Sequence, residues 1–132
     1  MLDVDSDRLY SAFCDRTLPK PQWTHAAHLT VCWVALLTRT EAEAVDFLRD
    51  AIRSYNVATG CENTATSGYH ETITCYYVHT IAALDAARVD DVLVATECAR
   101  DAPLRYWSRD RLFSREARAS WVAPDLATLP AT

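Results

Sequence analysis

The stretch whose reading decides the fold is Thr40–Gly60, "TEAEAVDFLRDAIRSYNVATG". Thr40 and Glu43 have the spacing of a capping box. In that device the hydroxyl takes the amide of the third helical residue and the carboxylate returns to the cap amide. Val45, Leu48, Ile52 and Tyr55 recur at helical intervals and form one apolar face, so the spacing predicts a helix from Glu41 onward. Gly60 is a suitable stop, because glycine enters the left-handed region without a Cβ penalty.

Working outward, Thr24 is the predicted cap of a preceding helix that runs to about Thr38. Its face carries Ala27, Val31, Val34 and Ala35, widened by Trp33 and Leu36. "LPKPQ" (Leu18–Gln22) separates it from a first helix over roughly Asp5–Arg16, since proline lacks a donor and restricts its predecessor. Leu9, Phe13 and Cys14 are expected on the inner face of that first helix. On the other side, the polar loop "CENTATS" leads into a fourth helix from Gly68 to about Arg88. A fifth, "DDVLVATECARD", ends at Pro103. A short helix after Ser114 and an irregular aromatic tail complete the chain, with Trp121, Val122 and Leu126 pinning the tail to the bundle. The expected fold is all-α: one domain over residues 1–132, a bundle of four main helices plus a short C-terminal helix and the tail.

Composition agrees. Half of the 132 residues are hydrophobic, enough for a core, and only two are glycine. Alanine, leucine, arginine and glutamate are common, which favours helix. The net charge of −5, with no basic block, points away from nucleic acid. No apolar run is long enough to span a membrane, and "MLDVDSDRLY" is acidic where a signal peptide is basic, so a soluble, cytoplasmic protein is expected. The five cysteines form no CxxC pair and read as reduced thiols packed as small hydrophobes.

Two motifs carry chemistry. In "WTHAAHL" (Trp23–Leu29), His25 and His28 are three apart and share a helix face. Two imidazoles so placed suit one metal ion, or one binds while the other hydrogen-bonds. The bland alternative is a helix start with two histidines satisfied by backbone carbonyls. In "GYHETIT" (Gly68–Thr74), His70 and Glu71 leave the helix about 100° apart, which favours a division of labour: His70 as ligand, Glu71 as base or as a hydrogen-bonding partner behind the ligands. The zincin pattern is incomplete, because Thr74 stands four after His70. The bland alternative makes Gly68 the N-cap and Glu71 a capping carboxylate at the third helical position. A short connection makes helices two and three antiparallel, so both motifs should meet at one end of the bundle.

Around them, Tyr69 and Tyr77 are candidates to donate a hydroxyl, the first to catalysis and the second to substrate. Tyr76 reads as packing. Cys32 is either a soft ligand or a buried thiol, and His79 reads as a satisfied histidine outside the site. "RYWSRDRLFSR" holds Arg105, Arg109 and Arg111, which form either a clamp for an anionic substrate or a surface strap.

"LPKPQWTHAAHLTVCWVALL", "GYHETIT", "YWSRDRLFS" and "WVAPDL", in this order over most of the chain, resemble a family of small, largely uncharacterised bacterial proteins. Its members share an HxxH helix start and a YHETIT-like segment. The resemblance carries no firm activity; it implies that His25, His28, His70 and Glu71 are the functional positions.

The leading expectation is a small metal-dependent enzyme acting on a small polar or carboxylated molecule, with a biosynthetic pathway as its expected setting. His25, His28 and His70 would hold a divalent metal, zinc first, with iron, manganese or copper as alternatives. Glu71 and Tyr69 would move protons, for hydrolysis, elimination or isomerisation, and Arg105, Arg109 and Tyr77 would bind substrate. The alternatives are a non-catalytic small-molecule or metal-binding protein and a metal-free His/Glu acid–base enzyme. No nucleic-acid or membrane partner is expected, and a homo-oligomer is compatible with the pattern.

Overall fold

The capping box at Thr40 forms as the spacing requires. Glu43 N donates to Thr40 Oγ1 at 3.2 Å, and Thr40 N donates to Glu43 Oε1 at 2.9 Å. The computed structural model describes residues 4–130, and among them every regular element is helical. Four long helices carry the fold: α1 (Val4–Cys14), α2 (His25–Leu36), α3 (Glu41–Ala58) and α4 (Glu71–Leu84). Three short ones follow: α5 (Val89–Leu93), α6 (Arg109–Leu112) and α7 (Arg115–Ala119). This is an all-α bundle. None of the described helices is long and apolar enough to cross a membrane.

The helix α2 sits at the centre, packed on α1, α3, α4 and α5, and buries nearly its whole circumference. Val31 and Ala35 are fully buried there, and Trp33 donates its indole N–H to Ala86 O. On α3, Leu48 and Tyr55 are buried, and the Tyr55 hydroxyl donates to Leu18 O at 2.8 Å. A second core lies around Trp107, which is fully buried and donates to Val122 O. Thr72, also fully buried, donates to Ser120 O and accepts from Val122 N, so α4 holds the C-terminal strap by its backbone.

Several expectations need correction. The inner face of α1 includes Phe13 but not Cys14, which is exposed because it stands about 100° round the helix from Phe13. The fourth helix begins at Glu71 and ends at Leu84, where Asp85 adopts a left-handed conformation and stops it. The fifth is not one helix: α5 stops at Leu93, and two turns of 3₁₀ helix follow, Thr96–Cys98 and Ala102–Arg105. The reason is specific. Three successive carbonyls, of Glu97, Cys98 and Ala99, accept from the side chains of Tyr76, His25 and Tyr77 at 2.7–2.8 Å. The chain there is shaped to present those carbonyls to α2 and α4. In the tail, Val122 is buried as expected, but Trp121 and Leu126 are 45% and 59% exposed. Trp121 still packs edge-on against the buried Trp107 as expected, whereas Leu126 contributes its amide to Tyr106 O, and backbone hydrogen bonds complete the attachment of the strap.

Candidate functional site

The beginning of α2, the second half of α3 and the beginning of α4 face one another, as antiparallel α2/α3 and α3/α4 pairs require. Between them lies a cavity of about 420 Å³, within the range of small-molecule sites. His25, His28 and Cys32 of α2 line it together with Leu48 and Ile52 of α3 and Ile73, Thr74 and Tyr77 of α4. Trp23, Arg100 and Phe113 complete much of the rest. The wall is mainly apolar.

Thr24 caps α2 through its side chain, accepting from Ala27 N at 3.2 Å, and this places His25 and His28 in the first turns. Each imidazole is held by a backbone carbonyl. His25 Nε2–H donates to Cys98 O at 2.8 Å, and His28 Nδ1–H donates to Thr24 O at 2.7 Å. A carbonyl only accepts, so these contacts fix which nitrogen carries the proton. In the neutral rings, His25 Nδ1 and His28 Nε2 keep their lone pairs. Trp23 stacks on His28 at 3.7 Å between ring centroids, and on Phe13 at 4.6 Å. His28 is accessible by surface area because it borders the open cavity. Burial against surrounding protein still pushes its pKa down to about 4, with His25 and Arg100 adding to the effect. At neutral pH it is an uncharged acceptor.

The second motif has a different geometry. His70, rather than Gly68, is the N-cap of α4: its Nδ1 accepts from Ile73 N at 3.2 Å, while Nε2–H donates to Leu112 O at 2.7 Å. Both nitrogens are thus occupied within the protein, and burial lowers the pKa of the ring. His70 does not line the cavity; it touches residues that do, capping the Ile73 amide and facing the Phe113 ring edge-on at 6.5 Å. Gly68 instead forms the turn before the cap. It has φ +82, and a Cβ there would stand 2.6 Å from Glu62 O.

With the helix starting at Glu71, that residue is the first helical position, not the third. Its side chain turns to α3: Arg49 Nε and Nη2 donate to its two oxygens at 2.9 and 2.7 Å, and the Tyr69 hydroxyl donates at 2.7 Å. The Cys75 thiol completes the cluster at 3.7 Å. Burial raises the Glu71 pKa, but the hydrogen bonds from Arg49 and Tyr69 outweigh it and hold the carboxyl below its ordinary value. Burial also raises the pKa values of Tyr69 and Cys75, so both remain protonated donors.

The two motifs therefore share one end of the bundle, but their side chains do not converge. Among the described residues, no three His, Cys, Asp or Glu side chains group so as to hold one metal ion. Tyr77 lines the cavity; its hydroxyl donates to Ala99 O. Arg105 donates to Thr96 O, Arg109 lies over the Phe113 ring and Arg111 donates to Ala123 O; none lines the cavity. Cys32 is buried in the cavity wall, and burial keeps it a thiol. His79 lies elsewhere, between Glu41 and Pro130 O. Arg100, Trp23 and Phe113 were not among the expected site residues. Trp23 adjoins the HxxH motif, and that adjacency was a usable signal; Arg100 had none, because its segment reads as continuous helix. Comparison with protein-family models, with curated proteins and with solved structures finds no match for this chain.

Proposed function

We propose that the protein binds a small, mainly apolar molecule in the α2/α3/α4 cavity and that His25 and His28 accept hydrogen bonds from its polar end. The observation that carries this reading is the pair of imidazoles with carbonyl-fixed protons. Both rings line a mainly apolar cavity, and each, when neutral, keeps one nitrogen lone pair that its carbonyl contact does not use. A hydroxyl or N–H donor satisfies such lone pairs, and an apolar body matches Leu48, Ile52, Ile73 and Phe113. The test is calorimetric titration with 3-methylindole and p-cresol, two apolar bodies with one donor each. Both should bind, and His28→Phe, which keeps the stack on Trp23 but removes the acceptor, should weaken them several-fold. If neither probe binds the folded protein, the reading fails.

A metal-dependent enzyme at the same place is the second reading, and one observation favours it. Ligating histidines commonly donate their other N–H to a carbonyl, as His25 and His28 do. His25 Nδ1 and His28 Nε2 would then hold the ion, which would supply Lewis acidity, with further ligands from water or substrate. His70 would have to give up its cap to join them. Metal content of the untagged protein, and its loss in His25→Ala but not in His70→Asn, checks this second reading.

A further inference from the structure

The cavity's charge identifies the class of ligand further, on the premise that the cavity is a ligand site. We infer that its ligand is an organic anion, an apolar body bearing a carboxylate that pairs with Arg100. Among the described residues, Arg100 is the sole Arg or Lys on the cavity wall, and no aspartate or glutamate lines it. Its guanidinium forms no hydrogen bond or ion pair with any described residue. Most other arginines near the site are engaged: Arg49 with Glu71, Arg105 with Thr96 O, Arg111 with Ala123 O, Arg118 with Gly68 O. In a chain of net charge −5, the cavity wall is locally cationic.

The position of Arg100 is also fixed from below. Tyr77 donates to Ala99 O at 2.7 Å and to Arg100 O at 3.3 Å, and His25 donates to Cys98 O. Two side chains of the cavity wall therefore staple the backbone from which the guanidinium extends. The Arg100 side chain is exposed and extends from this held backbone beside apolar walls, where its guanidinium fork suits the planar pair of oxygens of a carboxylate. A single cation with no second arginine or lysine is a poor match for a phosphate dianion. The imidazole lone pairs repel an anion, so they direct the carboxylate to Arg100 and keep the donor end for themselves.

Indole-3-acetate carries all three elements: an aromatic body, an N–H donor and a carboxylate. Its matched neutral form is indole-3-acetamide, and its apolar core is 3-methylindole. Calorimetry at pH 7.5 and low salt should show indole-3-acetate binding at least roughly tenfold tighter than the acetamide, as a charge-assisted contact implies. Arg100→Gln should abolish that difference, while 3-methylindole still binds. Folding is not at issue in this variant, because the Arg100 side chain makes no internal bond. If 3-methylindole binds but the acetate gains nothing, or the gain survives Arg100→Gln, the anion assignment is overturned and the cavity reading stands. If no probe binds, both fall.

Discussion

Replacing Arg49 with methionine removes the cation opposite Glu71 while keeping much of the apolar stem. Glu71 is 9% exposed, and two of the hydrogen bonds to its carboxylate come from Arg49. After the substitution only the Tyr69 hydroxyl and the weak Cys75 thiol remain. One-sided loss of a fully buried pair costs about 3–5 kcal/mol, and an exposed pair contributes less than about 1 kcal/mol. The Glu71 side chain is 12% exposed and that of Arg49 37%, so this pair lies between those limits. Hydrogen bonds to charged groups contribute about 1.5–3 kcal/mol net. The expected loss is therefore about 2 kcal/mol at pH 7, a fall in melting midpoint of roughly 6–8 °C for a chain of this length.

The pH dependence is the sharper part. In the native protein the Glu71 pKa lies below its ordinary 4.5, so its contribution is fully present above that value and is lost as pH falls through the folded pKa. Without Arg49, burial dominates and the folded pKa rises above 4.5. The variant then carries a buried, poorly paired charge at neutral pH, and that penalty disappears as acid protonates the carboxyl. The stability gap between the two proteins must narrow from pH 7 to pH 4. Urea unfolding followed by circular dichroism at four pH values measures it. A gap under about 0.5 kcal/mol at pH 7, or one that does not narrow in acid, refutes the account of this cluster.

Two further substitutions separate capping from chemistry. His70→Ala removes the cap of α4 and the bond to Leu112 O, with an expected loss of about 1–2 kcal/mol in urea unfolding. His70→Asn, which can still cap, should recover part of that loss; no recovery would argue against the cap role. Gly68→Ala combines a left-handed backbone with a Cβ placed against Glu62 O and should lose more than about 2 kcal/mol. Gly60→Ala, with the same φ but open space, should lose only the conformational part, and equal losses at the two sites would refute the steric argument.

The legible parts of the sequence are those governed by local rules. The cap hydroxyls of Thr24, Thr40 and Ser114 all accept where their spacing predicts, and Leu48 and Tyr55 are buried on the expected face of α3. The meeting of the α2 and α4 starts followed from loop length. What local rules cannot carry is the choice made by each polar atom. The segment after α5 departs from helix because distant tyrosines and a histidine take its carbonyls. His70 looks like a ligand by type, yet histidine is an uncommon N-cap, and only the fold shows that both its nitrogens are occupied. Glu71 looked paired with the histidines by adjacency. Its partner is Arg49, and nothing in the spacing of residues 49 and 71 announces that pair.

These assignments connect the cavity to the stability of the bundle. Leu48 and Arg49 are neighbours on α3, and one lines the cavity while the other grips Glu71. Ile73 likewise lines the cavity with its side chain and gives its amide to the His70 cap. The Arg49–Glu71 clamp and the His70 cap therefore fix the first turn of α4 at the point where it forms the wall. On α2, the Trp23 stack and the carbonyl contacts fix the facing histidines in the same way. Both walls are set by polar bonds outside the cavity, which leaves its lining free of polar atoms except the two imidazole lone pairs, Arg100 and a few hydroxyl and thiol groups. Under the proposed function, a ligand would be selected by the groups left without an internal partner, chiefly the two imidazole acceptors and the Arg100 cation on a mainly apolar wall.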